Sequence, residues 1–116
     1  MQNPQPIGIF DSGIGGLSVL KEIQQLLPSE DILYIADSAY APYGNKPQAF
    51  IQQRCEQLTQ FLIEQNAKAI VIACNTATAV SVKSLREKYS LPIIAMEPGV
   101  KPAIAASHSG VIGVMA

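Results

Sequence analysis

Apolar and polar positions change period along this chain in blocks. Residues 6–10 (PIGIF) form a short apolar run, which predicts a buried strand. Over residues 15–27, Leu17, Leu20, Ile23 and Leu27 recur at helical spacing, and Pro28 stops the pattern. Residues 31–36 (DILYIA) predict a second strand, followed by a Pro/Gly-rich loop over 37–46. Pro47 suits a first helical position, where its missing N–H would have had no partner. From there the stripe Ile51, Cys55, Leu58, Leu62 predicts a long helix reaching residue 66. Residues 67–73 (AKAIVIA) predict a third strand, apolar enough to be covered on both faces. A helix over 76–89 should turn Val80 and Leu85 inward and Lys83, Arg86, Glu87 and Lys88 outward. Residues 91–96 (LPIIAM) predict a fourth strand, 101–107 a short helix, and 110–116 (GVIGVMA) a fifth strand.

Strands alternating with helices at this spacing predict an α/β fold: a parallel sheet with right-handed crossovers and flanking helices, doubly wound. The pattern stops at Ala116 on an apolar strand with no cap, following helix or polar tail. This predicts a truncated chain.

Composition narrows the function classes. Of 116 residues, 48% are hydrophobic and 15% charged, which excludes a disordered chain. The net charge of −1 offers no basic face, and Trp is absent, so nucleic acid is not an expected partner. No uncharged apolar run approaches the roughly 20 residues of a membrane span. The amino terminus (MQNPQPIGIF) lacks the charged and apolar regions of a signal peptide. The expected compartment is the cytoplasm, where Cys55 and Cys74 would not form a disulfide. One histidine and two distant cysteines assemble neither a metal site nor a Ser-His-Asp set.

In sheets of this kind ligands sit beyond the carboxyl ends of the strands. The residues there are Asp11 to Gly16, Asp37 with the Ala41–Asn45 loop, Cys74 to Ala77, and Glu97 to Gly99. Asp11 to Gly16 reads as a strand-to-helix turn, with Asp or Ser capping the helix. It also reads as a phosphate loop: Gly13-x-Gly15 with an acid, Asp37, after the second strand resembles a dinucleotide fingerprint. Ser18 occupies the third glycine position, and Asp11 would face the pyrophosphate; a carboxylate there suits an ammonium better. Cys74 ends a strand and opens a helix, whose N-terminus favours negative charge on sulfur, although most free cysteines are small core residues. Asn75 and Thr76 add groups suited to a carboxylate. Cys55 lies mid-helix on the apolar stripe and reads as structural. The Ala41–Asn45 segment reads as either a surface turn or a substrate-contacting loop. Glu97 reads as a helix cap, and His108 as an exposed turn residue.

Three motifs in register resemble glutamate racemase: Asp-Ser-Gly-Ile-Gly-Gly-Leu-Ser-Val at 11–19, Ala-Pro-Tyr-Gly at 41–44 and Ala-Cys-Asn-Thr-Ala at 73–77. Glu-Pro-Gly at 97–99 and the Gly-Val-Ile-Gly-Val strand are similar to that family as well. The resemblance implies cofactor-independent interconversion of L- and D-glutamate, supplying D-glutamate for peptidoglycan and so for the cell wall and cell shape. It implies that Cys74 is one of two catalytic thiols and that Asp11 helps organise the substrate ammonium and the thiol. Asp11, Ser12, Tyr43, Gly44, Asn75 and Thr76 match substrate-binding positions. The resemblance also implies two similar domains: residues 1–98 would be the first, and 99–116 the opening of the second, cut after its first strand. The family's second cysteine lies in a Gly-Cys-Thr-His motif of that second domain; the motif is not in these residues. A tendency to form homodimers is also implied, and aspartate racemase is the near relative. The alternative reading is a nucleotide- or small-ligand-binding α/β module.

Overall fold

The computed structural model describes residues 4–13 and 15–95. The segment 96–116 lies outside them, with the expected helix over 101–107, the fifth strand, Glu97, His108 and the domain boundary at 98/99. Strand β1 spans Ile7–Asp11, α1 Leu17–Leu26, β2 Ile32–Ala36, α2 Gln48–Glu64, β3 Ala69–Ile72, α3 Asn75–Lys88 and β4 Ile93–Ala95. The loop expected over 37–46 contains two 3-10 turns, Ser38–Tyr40 and Tyr43–Asn45, with a cis Ala41–Pro42 peptide between them.

All strand pairs are parallel, and the order across the sheet is β2-β1-β3-β4. Helices cover both faces, as the alternating pattern requires. On one face Phe10, Ile70, Ile72 and Ile93 pack under Ile51, Cys55, Leu58 and Leu62 of α2 and Ala77 and Leu85 of α3. On the other, Ile7, Ile9 and Val71 pack under Val19, Leu20 and Ile23 of α1. Gly8 lets α2 settle close on β1: a Cβ there would stand 3.1 Å from both Leu62 δ-carbons and 3.2 Å from the Ala67 Cβ.

Among the described residues the second face has one helix where the first has two, and the expected α1 stripe is corrected there. Leu17 and Leu27 are about half exposed, while Val19 takes the inward place beside Leu20 and Ile23. Ile94, paired with Val71 on the same face, is also half exposed. The α3 expectation holds: Leu85 is buried, Val80 half-buried, and the four charged residues are exposed.

Helix ends shift by a residue or two for local reasons. Pro47 is the N-cap of α2, not its first helical residue, with extended backbone at φ −60°, ψ 148°. Asn66 ends that helix by taking φ 68°, a left-handed conformation Asn tolerates, and the Ala67 N–H folds back to the Leu62 carbonyl at 3.0 Å.

Candidate active site

The sheet order fixes where a ligand fits. The chain leaves β1 towards α1 on one face and leaves β3 towards α3 on the other. β1 and β3 are neighbours, so their connections diverge and open a crevice at their carboxyl ends. A cleft of about 400 Å³ lies there, lined among others by Asp11, Ser12, Gly13, Cys74 and Asn75.

Cys74 occupies the N-cap position of α3, with extended backbone at φ −137°, ψ 124°. Its sulfur accepts the Ala77 N–H at 3.5 Å, replacing the oxygen a capping Ser or Asp would offer. The thiol donates to Ser12 Oγ at 3.4 Å. The sulfur therefore stands between a hydroxyl from β1's end and the N-terminus of α3. Asn75 is exposed and Thr76 half-buried on the first turn of α3.

Asp11 is 3% exposed, and its carboxylate is committed to the loop after β1. Oδ1 accepts the Ser12 N–H at 2.7 Å, and Oδ2 accepts the Gly16 N–H at 2.5 Å. This corrects the expected cap: Gly16 is the N-cap of α1 with no side-chain bond, and Asp11 reaches it across the loop. It also weighs against the phosphate-loop alternative, because the N–H that would face a phosphate already holds a carboxylate. Tyr34, which the sequence did not single out, donates to Asp11 Oδ2 at 3.3 Å and to the Gly13 carbonyl at 3.4 Å. Burial, followed by the neighbouring Asp11 charge, pushes the Tyr34 hydroxyl up to about 12.

The two remaining expected contacts lie apart from the cleft wall. Tyr43 is buried, and its hydroxyl donates to Asp37 Oδ2 at 2.5 Å, so the expected ligand hydroxyl is taken by the protein. Gly44 next to it is exposed, with nothing within 4 Å of where a Cβ would stand. Asp37, the acid of the dinucleotide reading, pairs instead with Arg54 at 2.6 Å. Burial alone would raise the Asp37 carboxyl; hydrogen bonds from Arg54 and Tyr43, with the Arg54 charge, outweigh it and hold it below its ordinary value.

That depression has a testable sign. The stability it contributes is fully present above the unfolded carboxyl value near 4 and is lost as pH falls through the lower folded value. Asp37→Asn should therefore lower stability at pH 7 and flatten the acid side of the stability–pH curve. Denaturant melts from pH 7 down to 3 would check this, and parallel curves for the two proteins would count against it.

Cys55 is fully buried among the α2 contacts, as expected of a structural residue. Burial first, opposed by a Ser81 hydrogen bond, pushes its thiol up to about 11 from 9.0, leaving roughly a hundredfold less thiolate at pH 8. In the native chain iodoacetamide should alkylate the half-buried Cys74 first. Peptide mass spectrometry would check the order, and equal rates at the two cysteines would contradict their placement.

Among the described residues, no group of three or more His, Cys, Asp or Glu stands close enough to hold a metal ion, and no helix is long and apolar enough to cross a membrane. A groove of about 480 Å³ runs along α2 and the end of α3, lined among others by Gln53, Glu56, Gln60 and Lys88. It is larger than the cleft but carries no thiol and stands away from the strand ends.

The sequence profile of the Asp/Glu/Hydantoin racemase family matches residues 7–116. The chain belongs to that family. A glutamate racemase of Ectopseudomonas mendocina is 59% identical over 116 residues, covering 99% of this chain and 44% of its own length. The crystal structure of glutamate racemase from Thermus thermophilus in complex with beta-chloro-D-alanine superposes with a TM-score of 0.81 at 46% identity, over 86% of this chain and 40% of that one. The Escherichia coli glutamate racemase, solved with L-glutamate and the activator UDP-MurNAc-ala, gives 0.81 at 41% identity, over 91% and 41%. The chain thus spans less than half the length of the racemases it matches.

Proposed function

We propose that this chain is the one-thiol, substrate-binding part of a glutamate racemase. The observation that carries the reading is Cys74 at the N-cap of α3, its sulfur bonded to Ser12 and the Ala77 N–H within the strand-end cleft. Racemisation of an amino acid requires removal of the Cα proton from one face and return of a proton to the other. A thiolate at Cys74 takes the Cα proton, forming S–H and leaving the electron pair delocalised into the substrate carboxylate. A second thiol, supplied by the Gly-Cys-Thr-His motif of the family's other domain, donates a proton from the opposite face and becomes the thiolate. Each turnover exchanges the protonation states of the two sulfurs, so the reverse reaction follows by the same steps and no cofactor is needed.

The other residues hold the substrate. The α3 N-terminus with Asn75 and Thr76 suits a substrate carboxylate. Asp11 supplies the negative charge near the ammonium while shaping the loop that carries Ser12. Tyr43 and Gly44 contribute main chain. Residues 1–98 form the first domain and 99–116 open the second. Glutamate, not aspartate, is the small-molecule partner by the motif set, and nucleic acid is none. The same reading puts the protein in the cytoplasm as a homodimer, feeding D-glutamate to peptidoglycan.

The test is Cα–H exchange. A full-length chain carrying these residues, given L- or D-glutamate in deuterated solvent, should incorporate deuterium at Cα and lose optical rotation. These 116 residues alone should show no steady racemisation, since half a cleft neither excludes water nor presents both acids. Saturable dinucleotide binding without exchange by the full-length chain would favour the nucleotide-binding module instead.

A further inference from the structure

Beneath the 37–45 segment lies a buried charge that the proton-transfer steps do not use. Asp37 is 7% exposed, and three donors converge on its carboxylate. Arg54 of α2 reaches it with both arms of its fork, Nε at 2.9 Å from Oδ2 and Nη2 at 2.6 Å from Oδ1, and Tyr43 adds its hydroxyl at 2.5 Å. The third guanidinium nitrogen, Nη1, donates to Gln57 Oε1 at 2.7 Å. The guanidinium plane lies over the Tyr40 ring, 4.4 Å from its centre, and Tyr40 in turn tilts against Phe50 at 5.5 Å. Main-chain bonds extend the cluster. The Asp37 N–H donates to the Asp11 carbonyl at 2.8 Å, and the Tyr40 N–H to the Asp37 carbonyl at 3.1 Å.

One side chain on α2 therefore grips both 3-10 turns: the first through the face of Tyr40, the second through Asp37 and the hydroxyl of Tyr43. Burying such a pair costs desolvation, and apolar residues of similar size would give comparable stability. What an apolar cluster would not give is direction, because the two-pronged bond to a planar carboxylate sets angles as well as distance. The directed element is the turn at Tyr43–Gly44. Its hydroxyl is taken and its glycine is open, so what it offers outward is main chain, and α3 packs against this turn.

We infer that Arg54 is a positioning residue for glutamate binding, which through Asp37 and Tyr43 holds the Tyr43–Gly44 main chain beside the Cys74 cleft; the same segment reaches the cleft at Ala41, whose Cβ stands 3.7 Å from where a Cβ on Gly13 would lie. This rests on the racemase reading above. The contact acts on bound substrate throughout the reaction and takes no part in moving the proton. Its loss is therefore felt in KM and not in kcat.

The experiment is steady-state racemisation of both enantiomers by a full-length chain carrying these residues. Arg54→Gln should raise KM about tenfold for L- and D-glutamate alike while kcat stays within about twofold and the pH profile is unmoved. Arg54→Lys keeps the charge but loses the fork, and should fall between the two. Tyr43→Phe, which removes one hydroxyl and little else, should also raise KM, and decides the matter if Arg54→Gln does not fold. An unchanged KM in the folded variants with a lowered melting temperature would make the cluster purely structural and overturn the inference. A fall in kcat at constant KM would overturn it too. An unsubstituted full-length chain that does not racemise glutamate would overturn the racemase reading itself, and this inference with it, so the two failures are told apart before any variant is made.

Discussion

Cys74→Ser in a full-length chain carrying these residues is expected to cut glutamate racemisation by about 10³-fold or more, the scale of losing a well-placed acid or base. The serine keeps the N-cap. Its oxygen accepts the Ala77 N–H at least as well as sulfur does, so α3 and the cleft should persist and melting should hardly change. What is lost is the sulfur base and acid, which a far less acidic alcohol does not replace. Racemisation should fail in both directions, because this sulfur is the base for one enantiomer and the acid for the other. Deuterium incorporation from L- and D-glutamate, with circular dichroism of the same samples, would check the claim. Undiminished exchange in folded Cys74→Ser would remove Cys74 from the mechanism. Cys55→Ala serves as the contrast: it should keep turnover near that of the unchanged protein and lower stability, because Cys55 is packing.

Gly16→Ala is expected to harm fold and activity together. The Gly16 backbone, at φ −81°, is one any residue adopts, so the requirement is space. A Cβ there would stand 2.8 Å from the Ala73 Cβ, 2.9 Å from Asp11 Oδ2 and 3.1 Å from Asp11 Cγ. Ala73 is the residue before Cys74, and Asp11 accepts the Gly16 N–H, so either relaxation displaces a wall of the cleft. Overpacking of this kind costs about 1–3 kcal/mol. A shift of the Asp11–Ser12 corner by an ångström would slow turnover by about a hundredfold. Urea melts and initial rates on the same protein would test both parts. A Gly16→Ala chain with the original midpoint and rate would show that the corner has room to give.

The elements were legible where a single period ran without interruption. The apolar runs of β1 and β3 and the Ile51, Cys55, Leu58, Leu62 stripe of α2 carry their own burial, because each faces a partner along its whole length, while the run of β2 marked the strand although it is only half-buried. The α1 stripe was legible only in part. Its periodicity does not say how many helices share the face, so Leu17 and Leu27 read as core although they are half exposed. In the site, Asp11, Ser12, Cys74 and Asn75 were legible from topology, since residues after parallel strands share an edge. Tyr34 and the Arg54–Asp37–Tyr43 cluster were not. Tyr34 reaches Asp11 across 23 positions and Arg54 reaches Asp37 across 17, and no local pattern encodes contacts made only after the sheet has formed. Tyr43 shows the same limit: its position was marked, but the partner of its hydroxyl depends on where α2 lies.

The β2-β1-β3-β4 order carries a consequence for how the site comes into being. Ser12 and Cys74 are 62 positions apart in the chain, and what joins them is the pairing of β1 with β3 in the middle of the sheet. That pairing closes a long loop, with its entropic cost met before the contact repays it. The β1–α1–β2 unit can assemble early from near neighbours, but it holds only one lip of the cleft. The thiol meets its hydroxyl partner only when the second half of the sheet has docked. Assembly of the cleft therefore waits on the most distant pairing: a chain caught short of it owns Ser12 and Cys74 but not the contact between them.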